Sequence, residues 1–251
     1  MNPFIVSFVA FIVILGGALS GVALRKTSPD RHLTSDTKET VRLGTGLIAT
    51  IAALVLGLLI AAANGSYQTQ SGHVQHLAAD IILLDQLLAQ YGPEGRTARV
   101  ELRRATGPMV DHIWKESGSG AARQAPFAAA SAGQDMVAVV LQLSPRNDVQ
   151  KAIKDRAMGV ITDIAQTRLL LFEQSGGAIP LPFLVVLIFW LSIIFCSFGL
   201  FSDPNPILIG AFVICSLSAA AALFLVLEMS QPFSGLMQIS SAPLRNALGP
   251  L

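Results

Sequence analysis

Four stretches of this sequence carry no charged side chain at all: Asn2–Leu24, Leu43–Ala63, Ala178–Phe201 and Pro206–Leu227. Each has about 20 residues, the length at which an α-helix crosses a hydrocarbon core of ~30 Å. A backbone in lipid has no water to bond with, so it must satisfy its own polar groups, and a helix does so within one segment. The chain as a whole is 52% hydrophobic and 13% charged, against about 25% charged in soluble domains. The missing charge is missing from these four stretches. The pattern predicts an all-α integral membrane protein with four transmembrane helices and a helical-bundle insert between helices 2 and 3. Residues 1–64 hold spans one and two with a basic hairpin loop at 25–42, and 65–177 form the extramembrane helical domain. Residues 178–230 hold spans three and four, and 231–251 form an amphipathic C-terminal tail.

The first span reads as a retained helix. Only Met1, Asn2 and Pro3 precede Phe4, while Arg25 and Lys26 follow the span, the reverse of a secretory leader. A net charge of +1 gives no reason to expect nucleic acid as a partner. Cys196 and Cys215 lie inside spans three and four and read as small packing residues.

The second span opens with Gly44-Thr45-Gly46, which invites comparison with a phosphate-cradling loop. That fingerprint needs a third glycine and a preceding strand. Here Leu47-Ile48-Ala49 follows, and upstream Asp36 and Glu39 have the spacing of a helix-opening capping box. The helix is already under way at Gly44. Its distinctive feature is a small residue every fourth position, Ala49, Ala53, Gly57 and Ala61, with Gly46 and Thr50 on the adjoining face. Such ridges let helix backbones approach closely in lipid, where apolar burial cannot drive association. These six residues are the candidate pore or packing surface. The first span carries a literal GxxxG, Gly17-Ala18-Leu19-Ser20-Gly21. The third carries Phe183, Phe189, Trp190, Phe195 and Phe198 instead, and suits an outer, lipid-facing place.

Basic residues cluster between spans one and two as Arg25, Lys26, Arg31, Lys38 and Arg42, while the flanks of 65–177 hold only Arg168. The positive-inside rule then puts the hairpin in the cytoplasm and both termini and residues 65–177 outside. Within 65–177, Val74, Leu77, Ile81, Leu84, Leu88 and Tyr91 alternate steps of three and four, the seam of a coiled-coil-like helix. Gly92-Pro93 ends it, and a second helix runs to about Glu116. A Gly/Ala/Ser-rich loop spans Ser117 to about Ala130, and a short segment covers Asp135–Leu143. A long helix follows from about Asn147 to Gln174, with Ile153, Ala157, Val160, Ile164 and Leu171 on one face. Gly176-Gly177 makes a joint into the third span. A helix running from Asp36 to Tyr91 would reach roughly 80 Å, so a bend is expected near Asn64-Gly65.

Little here points to chemistry. The histidines are His32, His73, His76 and His112; only His73 and His76, with Asp80, share a helical face, and no fourth ligand is in sight. No nucleophile elbow, phosphate loop or HExxH sequence occurs. The reading is of no enzyme, no catalytic residue, no metal and no cofactor. Two charges stand out as candidate mouth residues, Arg42 before the second span and Glu228 at the end of the fourth. Ionisable residues at membrane depth are rare and mark functional sites by default, whereas at the interface, the alternative for Glu228 at the end of its span, a charge costs little. Pro232, Phe233 and Gly235 then break the chain into its tail, where Leu236, Ile239, Leu244 and Leu248 are to rest on the membrane or the bundle.

The runs DTKETVRLGTGLIATIAALVLGLLIAAANGSY, LAADIILLDQLLAQYGPEGRTAR and EMSQPFSGLMQISSAPLRNAL resemble a bacterial family catalogued as bestrophin-like, a domain of unknown function. The resemblance implies a multi-pass protein of the bacterial inner membrane and a homo-oligomer, a pentamer, around an anion pore lined by the second span. It also implies a cytoplasmic place for the insert, against the charge count. The chain departs from the bestrophin pattern twice. Leu43–Ala63 holds no aromatic residue, and Pro232-Phe233 is followed by Ser234-Gly235-Leu236 with no acid to the end. Calcium gating is therefore not carried over. Two functions follow: an oligomeric anion channel in the lipid bilayer, and alternatively a non-conducting sensor or scaffold whose insert binds a partner protein.

Overall fold

A computed structural model of the protein describes residues 2–27, 35–116, 136–174, 180–203 and 205–247. Among these the helices are α1 (Pro3–Thr27), α2 (Ser35–Tyr91), α3 (Gly95–Glu116), α4 (Asp148–Gln174), α5 (Leu181–Phe201), α6 (Pro206–Met229) and the short α7 (Ala242–Asn246). A further helical stretch covers 136–141, and the described residues include no strand. The Ser117–Ala130 loop, the Gly176-Gly177 joint, Arg31, His32 and Leu248 lie outside the described residues, as do the side chains of Asp36 and His112. Helices α1, α2, α5 and α6 are long and apolar enough to cross a membrane. They contain the four charge-free stretches almost entirely, and α2 runs well beyond its own at both ends. The helix runs without a break through Asn64 and Gly65.

The chain divides into two units, one of residues 1–66 and 178–230, the other of residues 67–177 and 231–251. In the first, α1 packs along α5 and α6. Lipid offers no hydrophobic drive for such packing, so close backbone approach must supply it. Gly21 lies against the Cys196 carbonyl oxygen, and Gly199 against that of Ala18; a methyl group at either position would overlap backbone. Ser192 Oγ donates to Val13 O at 3.3 Å, and Ser20 Oγ to Cys196 Sγ at 3.7 Å. An Arg25–Asp203 ion pair joins the far ends of α1 and α5. On α6, Phe212 meets Phe195 of α5 with ring centroids 6.4 Å apart. The α5 aromatics divide by face: Phe183, Phe189 and Phe198 are exposed, while Trp190 and Phe195 are half-buried.

The second unit is built like a water-soluble bundle. All six seam residues from Val74 to Tyr91 are buried, joined by Ala157, Val160 and Leu171 of α4. Burying each large side chain of this kind contributes about 1.5–3 kcal/mol. Gly92, with φ of 111°, ends α2 in the left-handed region that glycine enters without a Cβ penalty. The corner is close enough that Gly95 touches the Leu88 carbonyl oxygen. Across it, Arg99 grips Asp85 with two bonds, Nε to Oδ1 at 2.9 Å and a terminal nitrogen to Oδ2 at 2.7 Å. Asn147 caps α4 by accepting from the Gln150 amide at 2.7 Å. Lys154 Nζ donates to the Leu141 and Leu143 carbonyls that end the short helical stretch.

Candidate functional site

The spanning half of α2 is the least covered of the four apolar helices. Of its most apolar window 11% is buried, against 33% for α1 and 22% each for α5 and α6. One face only is packed, that of Thr45, Ala52, Leu59 and Ala63. The small-residue face predicted from spacing lies elsewhere on the helix. Gly46, Thr50, Ala53, Gly57 and Ala61 are exposed and Ala49 is half-buried. A methyl group built on Gly46 or Gly57 meets nothing within 4 Å. Among the described residues, then, the face packs within the chain only at its Ala49 edge, and the rest of it is bare. Thr50 Oγ1 donates to Gly46 O at 3.0 Å, so its hydrogen stays within the helix.

Beside the small residues runs a second bare flank that the spacing argument passed over. Leu43, Leu47, Leu54 and Leu58 are 65–74% exposed, and Ile51 is 40% exposed. Their signal was present in the sequence as a step pattern of 4, 4, 3 and 4 residues. Any apolar span supplies such leucines, so the pattern by itself marks no face of the helix.

The two candidate mouth charges stand in different surroundings. Arg42 is exposed, one turn before Gly46. Glu228, in the last turn of α6, is 1% exposed, enclosed within the protein. Ser7 and Ser216 are also buried in this unit, and neither Oγ has a hydrogen-bond partner among the described residues. Buried hydroxyls of this kind cost less than a charge but are seldom left alone.

Pro232, Phe233 and Gly235 belong to the second unit and form a clasp. The Ile239 amide donates to Pro232 O at 2.7 Å, closing a loop in which Gly235 has φ of 94°. Phe233 is buried and meets Trp114 of α3 edge to face, centroids 5.4 Å apart. Trp114 Nε1 donates to Ile239 O at 2.9 Å, and Arg245 pairs with Asp111 at 3.3 Å. Ile239 and Leu244 of the tail are buried in the core of this unit.

Among the described residues no three His, Cys, Asp or Glu side chains gather as a metal site. Asp80 does ionise less readily than a free carboxyl. Burial is the main cause, the Asp163 carboxylate adds to it, and His76 works against it.

The Bestrophin-like domain family matches the chain over residues 12–244. No curated protein matches it. Among solved structures, a bacterial bestrophin homologue from Klebsiella pneumoniae carrying a point mutation superimposes with a TM-score of 0.71. That match covers 96% of this chain and 97% of the other at 12% identity, and so shows a common fold.

Proposed function

The chain belongs to the bestrophin-like family, and on that premise we propose that it is a homo-oligomeric anion channel with its pore built around α2. The observation that carries the reading is the bare surface of α2. A helix with an open groove at Gly46 and Gly57, and leucines exposed beside it, suits contact with further copies of the chain and with a lumen. The assembly is a pentamer by the family resemblance.

In that arrangement the lumen along α2 is apolar. A narrow apolar passage excludes ions by shedding water, and it conducts when it widens enough to stay wet. No charged side chain lies between Leu43 and Ala63, so ions crossing this length meet no fixed charge. Arg42, exposed one turn before the groove, provides a ring of positive charge at one mouth. Such a ring raises the local concentration of anions and repels cations.

The test is ionic current from purified protein in a planar bilayer, with Gly57→Leu alongside. A chloride current that Gly57→Leu reduces or alters is the expected result. Absence of current from a stable oligomer, over a range of pH and calcium, would overturn the channel reading.

A further inference from the structure

The tail divides by burial into a held part and an outward tip. Pro232, Phe233, Ile239 and Leu244 are buried, while Gly235, Leu236, Met237 and Gln238 are exposed, Leu236 at 74%. The exposed four are the tip of one closed loop. The Ser234 amide donates to Gln231 O at 3.0 Å, and the Ile239 amide donates to Pro232 O at 2.7 Å and shuts the base. Gly235, with φ of 94°, turns the chain between them. Phe233 and Ile239 pin the two arms of the loop to Trp114. Two large apolar side chains are thereby held outward on a fixed support, although water favours their burial.

We infer that this tip is a lipid-inserting loop. Leu236 and Met237 sit among the headgroups and first acyl carbons of the leaflet in which α6 ends. The inference needs α6 as a membrane span; it depends neither on conduction nor on the number of subunits.

Lipid is selected as the occupant first by distance. Pro232, at the base of the loop, is three residues past Met229, the last of α6, a reach of at most ~11 Å. The interfacial layer at each edge of a bilayer is itself roughly 5–8 Å deep. Charge points the same way. No charged residue occurs from Met229 to Leu244, and the first to follow is Arg245. Exposed apolar residues elsewhere in this unit stand beside charges, Val100 between Arg99 and Glu101 and Val149 next to Asp148. A neutral loop gives up far less than a charged one on leaving water.

The tip also has apolar company. Helices α3 and α4 both start at the Tyr91 end of α2, Gly95 against Leu88 and Gln150 Nε2 donating to Tyr91 O at 3.0 Å. Their last turns, with the tail on Trp114, therefore lie toward the other end of the unit, where α2 continues into its span. There α4 exposes Leu169, Leu170 and Phe172, all within twelve residues of the start of α5. Size argues against a protein as the occupant. Two side chains fall far short of the ~1,000 Å² that a specific protein interface buries, whereas apolar groups seat in a bilayer edge at a depth of ~5–10 Å without any such area.

A fluorescent reporter at the tip tests this. Leu236→Cys, on a background with Cys196→Ser and Cys215→Ser, is labelled with bimane in detergent. The protein is then reconstituted into vesicles of phosphatidylcholine and phosphatidylglycerol, with or without lipid carrying a nitroxide near the top of its acyl chain. Val100→Cys and Val149→Cys carry the same label as references, and Met237→Cys repeats the measurement at the tip. Labels at 236 and 237 should emit at shorter wavelength than the references. The nitroxide lipid should quench them at least about twofold and leave the references nearly unchanged, since insertion brings label and nitroxide to one depth. Equal quenching at the tip and at the references, in protein whose helical content and size-exclusion profile are unaltered, would overturn the inference. So would tip labels that aqueous iodide cannot reach and nitroxide lipid does not quench, because protein, a second copy included, would then cover the loop.

Discussion

Two helices of the membrane unit carry small residues at close helical spacing, and the structure uses them in opposite ways. On α1, Gly17 and Gly21 press against α5, Gly17 on Ser192 and Gly21 on the Cys196 backbone. On α2, Gly46 and Gly57 face open space. The sequence pattern is of one kind: small residues at intervals that put them on one side of a helix. The first face is spent inside the chain, where it fixes how α1 and α5 cross. The second is left over after the chain has folded, and a surface left over in that form is available to other molecules. A small-residue seam therefore states that something approaches closely, without saying whether the neighbour is the same chain or another.

The comparison is sharpest where a bulky side chain replaces each glycine. Gly21→Leu would drive a side chain into the α5 backbone, well beyond the ~1–3 kcal/mol of ordinary overpacking. It should abolish recovery of folded protein, as read by yield and by size-exclusion profile in detergent. A well-folded Gly21→Leu protein would show that the α1–α5 approach is wrong. Next in size is a joint of the other unit, the Asp85–Arg99 grip. Asp85 is buried and Arg99 partly so, and Asp85→Ala leaves a guanidinium without its carboxylate. A loss of about 2–3 kcal/mol is expected, read as a lower thermal midpoint. An unchanged midpoint would mean that the corner between α2 and α3 holds without the pair. The smallest effect on the folded subunit belongs to Gly57→Leu. Yield and helical content should match the unaltered protein, within ~0.5 kcal/mol, while assembly changes. Misfolding of Gly57→Leu on the scale of Gly21→Leu would erase the distinction between the two faces.

Much of the fold was legible because lipid imposes so strict a rule. Uncharged runs of spanning length have few alternatives to helix, and α1, α5 and α6 begin or end within a few residues of the stretches read from the sequence. The seam from Val74 to Tyr91 was equally readable, because its apolar residues recur at helical steps among polar ones. Inside the membrane that contrast is lost. Leu59 is buried and Leu58 exposed, yet both are leucines in an apolar run, and only the partners of the helix distinguish them. The covered face of α2 was hidden for this reason, and so was the ridge of Leu47 and Leu58. The tail was unreadable on different grounds. Phe233, Ile239 and Leu244 are held by Trp114 and its neighbours on α3, more than a hundred residues away in sequence, and local spacing carries no record of that distance. The reading of Glu228 stood between a functional site at membrane depth and a charge at the interface. Its 1% exposure places it inside the protein, a matter of tertiary packing.

The claim underlying this account is that other copies of the chain cover the bare arc of α2. Native mass spectrometry of the purified protein, released from detergent, measures that most directly. The account predicts a single closed oligomer of identical chains, with little dimer. A monomer as the only species, in protein shown to be folded, would contradict it and return the α2 surface to lipid.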